Sequence, residues 1–249
     1  MDRSQPKKTN TPEKNHTNGF TLVELAVVVA VIALLVGSML IPLTTQVEQR
    51  NISQTQKQLE EVKEALLGYA MVNGRLPRPA PSENDGAERT NPCSDARECT
   101  GLVPWVTLGL QKTDAWGKMF GYSVTPEYAN APFDFNTGGT LKTVQTRLSS
   151  GGGVTNLATN LVVVVISYGP KNWGRTEHGT DIADESTTNA DEDTNSAKFH
   201  CTTIGECTNF ISRPLVSSKG ALGGEFDDQL AWLPQTIVLS RMVVAGKLP

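Results

Sequence analysis

From Phe20 to Ile41 the chain runs 22 residues with one charged side chain, Glu24. As a helix rising about 1.5 Å per residue, that run spans roughly 33 Å, enough for the hydrocarbon core of a bilayer. A helix of that length buried in a globular core would normally keep a polar face, and this run has none. A secretory signal peptide is shorter and is followed by a small-residue cleavage site. Gly37-Ser38 fits that pattern only weakly, and the run continues into a helical repeat. Residues 1–19 are polar, with Arg3, Lys7, Lys8 and Lys14 against Asp2 and Glu13. The positive surplus predicts a cytoplasmic amino end and a remainder carried across the membrane. Glu24 is the anomaly, because a carboxylate inside an apolar span costs about 3 kcal/mol on insertion scales. It requires a partner, most simply a positive charge on another chain such as an amino terminus freed by nearby cleavage.

Past Pro42, which favours a kink, Leu43, Val47, Ile52, Leu59, Val62, Leu66 and Tyr69 recur mostly at gaps of three, four and seven. That spacing predicts one apolar stripe on an amphipathic helix, with Glu60, Glu61, Lys63 and Glu64 off the stripe. Asn73-Gly74 is its stop signal. One helix from Phe20 to Val72 would be about 80 Å long. It cannot bury its stripe alone, so the remaining chain must supply a head.

The hexapeptide Gly19-Phe20-Thr21-Leu22-Val23-Glu24, behind a short basic leader and ahead of an apolar helix, resembles the processing site of type IV prepilins and type II secretion pseudopilins. The resemblance implies cleavage after Gly19 by a prepilin peptidase and N-methylation of Phe20. It also implies that Glu24 neutralises the amino terminus of a neighbouring subunit during assembly. The expected layout is a leader at 1–19, a transmembrane helix at 20–41, an amphipathic continuation at 42–72 and an exported head at 73–249. The expected fold is α+β and pilin-like, a long helix packed on a small antiparallel sheet with loop insertions. Such a subunit would sit as a single-pass protein in the inner membrane, its head periplasmic or extracellular. Its partners would be the peptidase, other pilins or pseudopilins in a helical filament, membrane lipid and an assembly platform.

Within the head, residues 74–101 read as loop, with Pro77, Pro79, Pro81, Pro92 and Asn84-Asp85-Gly86. Asp114-Ala115-Trp116-Gly117 reads as a tight turn capped by Asp114, with Trp116 buried and a strand leaving through Met119–Val124. The turn resembles the Asp-Pro-Trp-Gly element of the major pseudopilin, with Ala115 in place of proline. Residues 130–153, rich in Gly, Thr, Asn and Ser, read as a hairpin or loop. Leu161–Ile166 is a continuous apolar run, five of its six residues β-branched, as in a central strand covered on both faces. Residues 235–245 read as a short helix with Ile237, Val238, Met242 and Val243 inward and Gly246 as its stop. Leu76-Pro77, Leu102-Val103-Pro104-Trp105, the Asp114 turn and Phe226-Asp227-Asp228 resemble a group of large prepilin-like proteins. Where that group carries cysteine between two prolines, this chain has Arg78.

The four cysteines form two close pairs on the exported side, Cys93 with Cys99 and Cys201 with Cys207. An oxidising compartment favours two local disulfides; the rival arrangement is a four-thiolate zinc site. An acidic stretch follows the apolar strand. Its Asn189-x-Asp191-x-Asp193-x-Asn195 spacing puts oxygen ligands on alternate residues, as calcium loops do. The major pseudopilin holds calcium in a similarly placed loop, and the ligands here would come from Asp181, Asp184, Asn189, Asp191 and Asp193. The alternative is a solvated acidic loop. A net charge of −4 argues against binding nucleic acid through its phosphates. No nucleophile elbow, phosphate loop, dinucleotide fingerprint or His-Glu-x-x-His is present, and the reading is a structural subunit without catalytic residues.

Overall fold

The computed structural model describes residues 21–148, 152–199, 201 and 207–248, without the side chains of 38–43, 198 and 199. The chain divides into two compact units, one ending at Glu48 and one running from Gln49 to Pro249. Helix α1 (Leu22–Asn73) supplies the described part of the first unit and the opening of the second. In the first unit the apolar side chains from Leu22 to Val36 are exposed. The helical assignment continues through Pro42. Among the described residues no helix is long and apolar enough to cross a membrane. The apolar stretch of the sequence extends into 38–43, whose side chains are outside the description.

The second unit follows α1 with β1 (Thr100–Leu102), α2 (Trp105–Leu108), β2 (Gly121–Val124), α3 (Pro126–Asn130), β3 (Lys142–Arg147) and β4 (Val154–Ser167). Then come α4 (Ala190–Phe199), β5 (Asn209–Ile211), β6 (Gln229–Pro234) and α5 (Gln235–Val244). The described strands form one sheet in the order β1-β2-β4-β3-β5, with β6 also paired to β4. Every pairing is antiparallel except β3 with β5. The sheet is therefore mixed, which corrects the antiparallel expectation. β5 reaches β3 only after the long connection that contains α4, and a crossover of that kind permits a parallel partner.

Residues 161–167 of β4 are fully buried, with β2 against one part and β6 along the other edge. This is the covered central strand that the β-branched run predicts. Leu59, Val62, Leu66, Leu67 and Ala70 of α1 pack into one core with Tyr122, Val124, Val163, Val165 and Leu233. Three of these lie on the predicted stripe; Tyr69 is half-buried and Val47 exposed. Val144, Leu161, Val164 and Phe210 form a second, smaller cluster. The Gly74 N–H closes α1 on the Ala70 carbonyl at 2.8 Å, with φ at 75° as a left-handed cap requires.

Other expectations are adjusted. Of the 130–153 stretch, expected as a hairpin or loop, Lys142–Arg147 is strand β3, paired antiparallel with β4. Asp114 does cap its turn, accepting from the N–H groups of Trp116 and Lys118 at 2.9 Å each. Trp116, however, is only partly buried. In α5, Val238 and Met242 are buried while Ile237 and Val243 are exposed. Consecutive helical positions lie about 100° apart, so a short surface helix seated on one core buries one member of each pair and exposes the other. Arg78 donates to the Thr90 carbonyl at 3.0 Å and to the Asn130 side chain at 3.2 Å, tying the 74–101 segment to the end of α3. Both local disulfides, Cys93–Cys99 and Cys201–Cys207, are formed, which leaves no thiolate for a zinc site.

Candidate functional site

Gly19 and Phe20, the expected points of cleavage and methylation, lie outside the described residues, as does the leader before them. The segment just after them has a defined geometry. Glu24 Oε2 accepts from the Thr21 N–H and from the Thr21 hydroxyl, both at 2.9 Å. The Thr21 hydroxyl oxygen in turn accepts from the Glu24 N–H at 3.2 Å. This reciprocal pair is a capping box, and it fixes the start of α1 at Leu22. Thr21-Leu22-Val23-Glu24 thus has a local structural role besides the one its resemblance implies.

The five expected calcium ligands do not act as one group. Asp181 pairs with Arg175, Nε to Oδ1 at 2.7 Å. Asp191 is fully buried between Arg147 and Arg213, whose Nε atoms each lie 2.8 Å from its Oδ2. Gly223, at φ 82°, passes so close to this carboxylate that a Cβ there would strike it. Asp184, Asn189 and Asp193 do converge. Asp184 Oδ1 accepts from Asn189 Nδ2 at 3.0 Å, and Asp193 accepts from the Trp173 indole at 3.1 Å. Burial pushes the Asp193 carboxyl above its ordinary range, opposed by the Trp173 indole and reinforced by the charge of Asp184. Asn189 is fully buried, and its side-chain carbonyl oxygen has no hydrogen-bond partner. Ala190–Phe199 is helix α4 and not the acidic loop that the spacing predicts.

A second acidic group went unpredicted. Single carboxylate oxygens of Glu192, Asp227 and Asp228 lie within 4.8 Å of one another. Glu192 accepts from the Asp227 N–H at 2.7 Å and from Asn189 Nδ2 at 2.9 Å, and Asp228 accepts from Asn195 Nδ2 at 2.8 Å. Burial, reinforced by Glu192, pushes Asp227 up to about 7 and Asp228 well above the carboxylate range. Buried Lys118 offsets part of this charge, and its ammonium donates to the carbonyls of Tyr168, Lys171 and Asn172. Burial holds that ammonium below the usual lysine range. The only sequence signal for this group is the Asp227-Asp228 dipeptide beside a strand.

Residues 14–40 match the family described as the prokaryotic N-terminal methylation motif. This is the type IV pilin and pseudopilin signature, and the chain carries it. It supports a type IV pilin-like or pseudopilin protein, a structural class whose membrane-anchored amino terminus is processed by prepilin peptidase and which assembles with other pilins. No curated protein and no solved structure matches the chain.

Proposed function

We propose that the chain is a pseudopilin of a type II secretion system, matured by prepilin peptidase and added to a short filament through its amino-terminal helix. The observation that carries this reading is the Gly19–Glu24 motif placed directly ahead of an apolar helix. In this mechanism the peptidase cuts after Gly19 on the cytoplasmic face and methylates Phe20. The mature subunit waits in the inner membrane with its head on the far side. Glu24 then meets the amino terminus of a neighbour, a pairing worth most where water is excluded. Apolar helices gather at the filament centre through repeated heterologous contacts. The Asp114 turn and the acidic segment after the central strand favour the secretion system. The size of the head, 73–249, favours the second reading, a minor pilin that primes or tips a type IV pilus.

A structural calcium belongs to the same proposal. Asp184, Asn189 and Asp193 would hold it. The orphaned buried oxygen of Asn189 is the feature that fits a cation, while Asp181 and Asp191 are already neutralised by arginines. The ion would supply charge compensation and tie the segment after β4 to α4.

Expression of the full chain with and without an active prepilin peptidase, followed by intact-mass and peptide mass spectrometry of the amino terminus, tests the main reading. The expected product starts at Phe20 and carries one added methyl group. Retention of residues 1–19 beside active peptidase would overturn it and favour a non-polymerising anchored domain.

A further inference from the structure

Leu161 of β4 pairs at once with Lys142 of β3 and Pro234 of β6, so β3 and β6 lie on opposite edges of β4. β6 stops at Pro234, which has no N–H to extend the ladder, and the chain turns into α5. Residues 154–160 of β4 therefore keep β3 on one edge. Among the described residues, no backbone hydrogen bond reaches their other edge. The sheet holds an empty strand position there, in line with β6.

Exposed edges are normally guarded by charge, proline, brevity or a covering group. Two other edges of this sheet are. β1 is three residues long. The outer edge of β5 is closed by Asn195, which donates to the Ile211 carbonyl at 2.9 Å and accepts from the Ile211 N–H at 2.7 Å. The open stretch Val154-Thr155-Asn156-Leu157-Ala158-Thr159-Asn160 contains neither charge nor proline. Its largest side chains, Val154 and Leu157, are 41% and 51% exposed.

We propose that residues 155–159 pair antiparallel with the same residues of a second copy of this chain, centred on Leu157. An open row of backbone donors and acceptors takes an extended strand, and the sequence selects which one. About Leu157 the stretch is nearly symmetric: Thr155 faces Thr159 twice, Asn156 faces Ala158, and Leu157 faces its own copy. Like charges directly opposite would oppose self-pairing, and none is present. Threonine pairs and a central leucine pair are favourable cross-strand contacts. The pairing ends at Asn160, whose φ of 55° takes the backbone out of the extended region.

The test uses the full-length chain in detergent, followed by sedimentation equilibrium over a range of concentrations. Wild type, Leu157→Lys, Leu157→Glu and an equimolar mixture of the two variants are compared. The exposed position leaves the circular dichroism and Tm of each variant unchanged. Wild type is expected to dimerise reversibly, each variant to dimerise roughly tenfold more weakly, and the mixture to recover the loss through complementary charge. A monomeric wild type overturns the proposal and leaves the edge to a strand of another protein. An association that Leu157→Lys leaves unchanged places the contact on another surface, such as α1, and also overturns it. A mixture no tighter than the single variants rules out the Leu157-centred register. The amino-terminal processing experiment is independent, so either reading can fail alone.

Discussion

Arg147 Nε lies 2.8 Å from Asp191 Oδ2, joining the end of β3 to the first turn of α4 across 44 residues of sequence. Arg213 approaches the same oxygen from the segment after β5, and Asp191 has no exposed surface. Removing the charge from such a group leaves two guanidinium groups sharing one neutral amide, with no counter-charge between them. Asp191→Asn is expected to cost about 3–5 kcal/mol and to lower Tm by roughly 10 °C in a unit of this size. Thermal unfolding of the full chain checks it. A loss within experimental error would show that water solvates both arginines well enough to replace the carboxylate.

Because Asp191 is already neutralised, calcium binding should not depend on it. Millimolar calcium is expected to raise Tm of the wild type, and Asp184→Asn and Asp193→Asn are expected to abolish the rise. Magnesium, with its demand for tight octahedral geometry, is expected to do less. Asp191→Asn should start from a lower Tm and still respond. A wild type indifferent to calcium would remove the metal from the proposed function.

The contrast between α1 and α4 shows what the sequence makes legible and what it hides. The positions of Leu59, Val62 and Leu66 follow from helical spacing alone, and the burial of Leu161–Ile166 from an unbroken apolar run, because both signals are local. The Glu24 motif is equally local. In α4 the same alternation of Asn and Asp that resembles a calcium loop lies on a helix, and Asp191, Glu192 and Asn195 turn inward. What holds them there is Arg147, Arg213, the Asp227 N–H, Ile211 and Asp228, all distant in sequence. Polar pairs of that kind leave no periodicity to read. The parallel β3–β5 pairing is hidden for a different reason, since the two strands meet only through the long crossover that contains α4.

Lys142, at the start of β3, is fully buried, and its ammonium nitrogen has no hydrogen-bond partner. Burial pulls its pKa down to about 7, with only the charge of Glu127 acting the other way. The unfolded chain therefore binds more protons than the folded one between about pH 7 and the ordinary lysine value, and stability rises with pH across that window. Below about pH 7 the penalty for burying the charge is present in full. Lys142→Met is expected to raise Tm by about 4 °C or more at pH 7, with the gain shrinking as pH approaches 10. Melting curves of both proteins from pH 6 to 10 check the slope. A constant difference would mean that Lys142 finds a partner, such as a bound water, when charged.

Glu24 has two separable roles, and two substitutions divide them. Its carboxylate caps α1 through Thr21, and the assembly reading also gives its charge a partner on another subunit. Glu24→Gln keeps an oxygen that can accept from the Thr21 N–H but removes the charge. Thr21→Val removes the hydroxyl half of the capping box and keeps the charge. If the charge serves assembly, Glu24→Gln is still cleaved after Gly19 yet enters filaments at least tenfold less often, whereas Thr21→Val enters them nearly as well as wild type. Co-expression with the assembly machinery, with mass spectrometry of the amino terminus and quantification of subunit in sheared filaments, reads both steps. Equal incorporation of Glu24→Gln and wild type would reduce Glu24 to a helix cap. A filament that accepts an uncharged residue at this position would have no need of the inter-subunit pairing, and the apolar packing of α1 would then have to specify the order of subunits by itself.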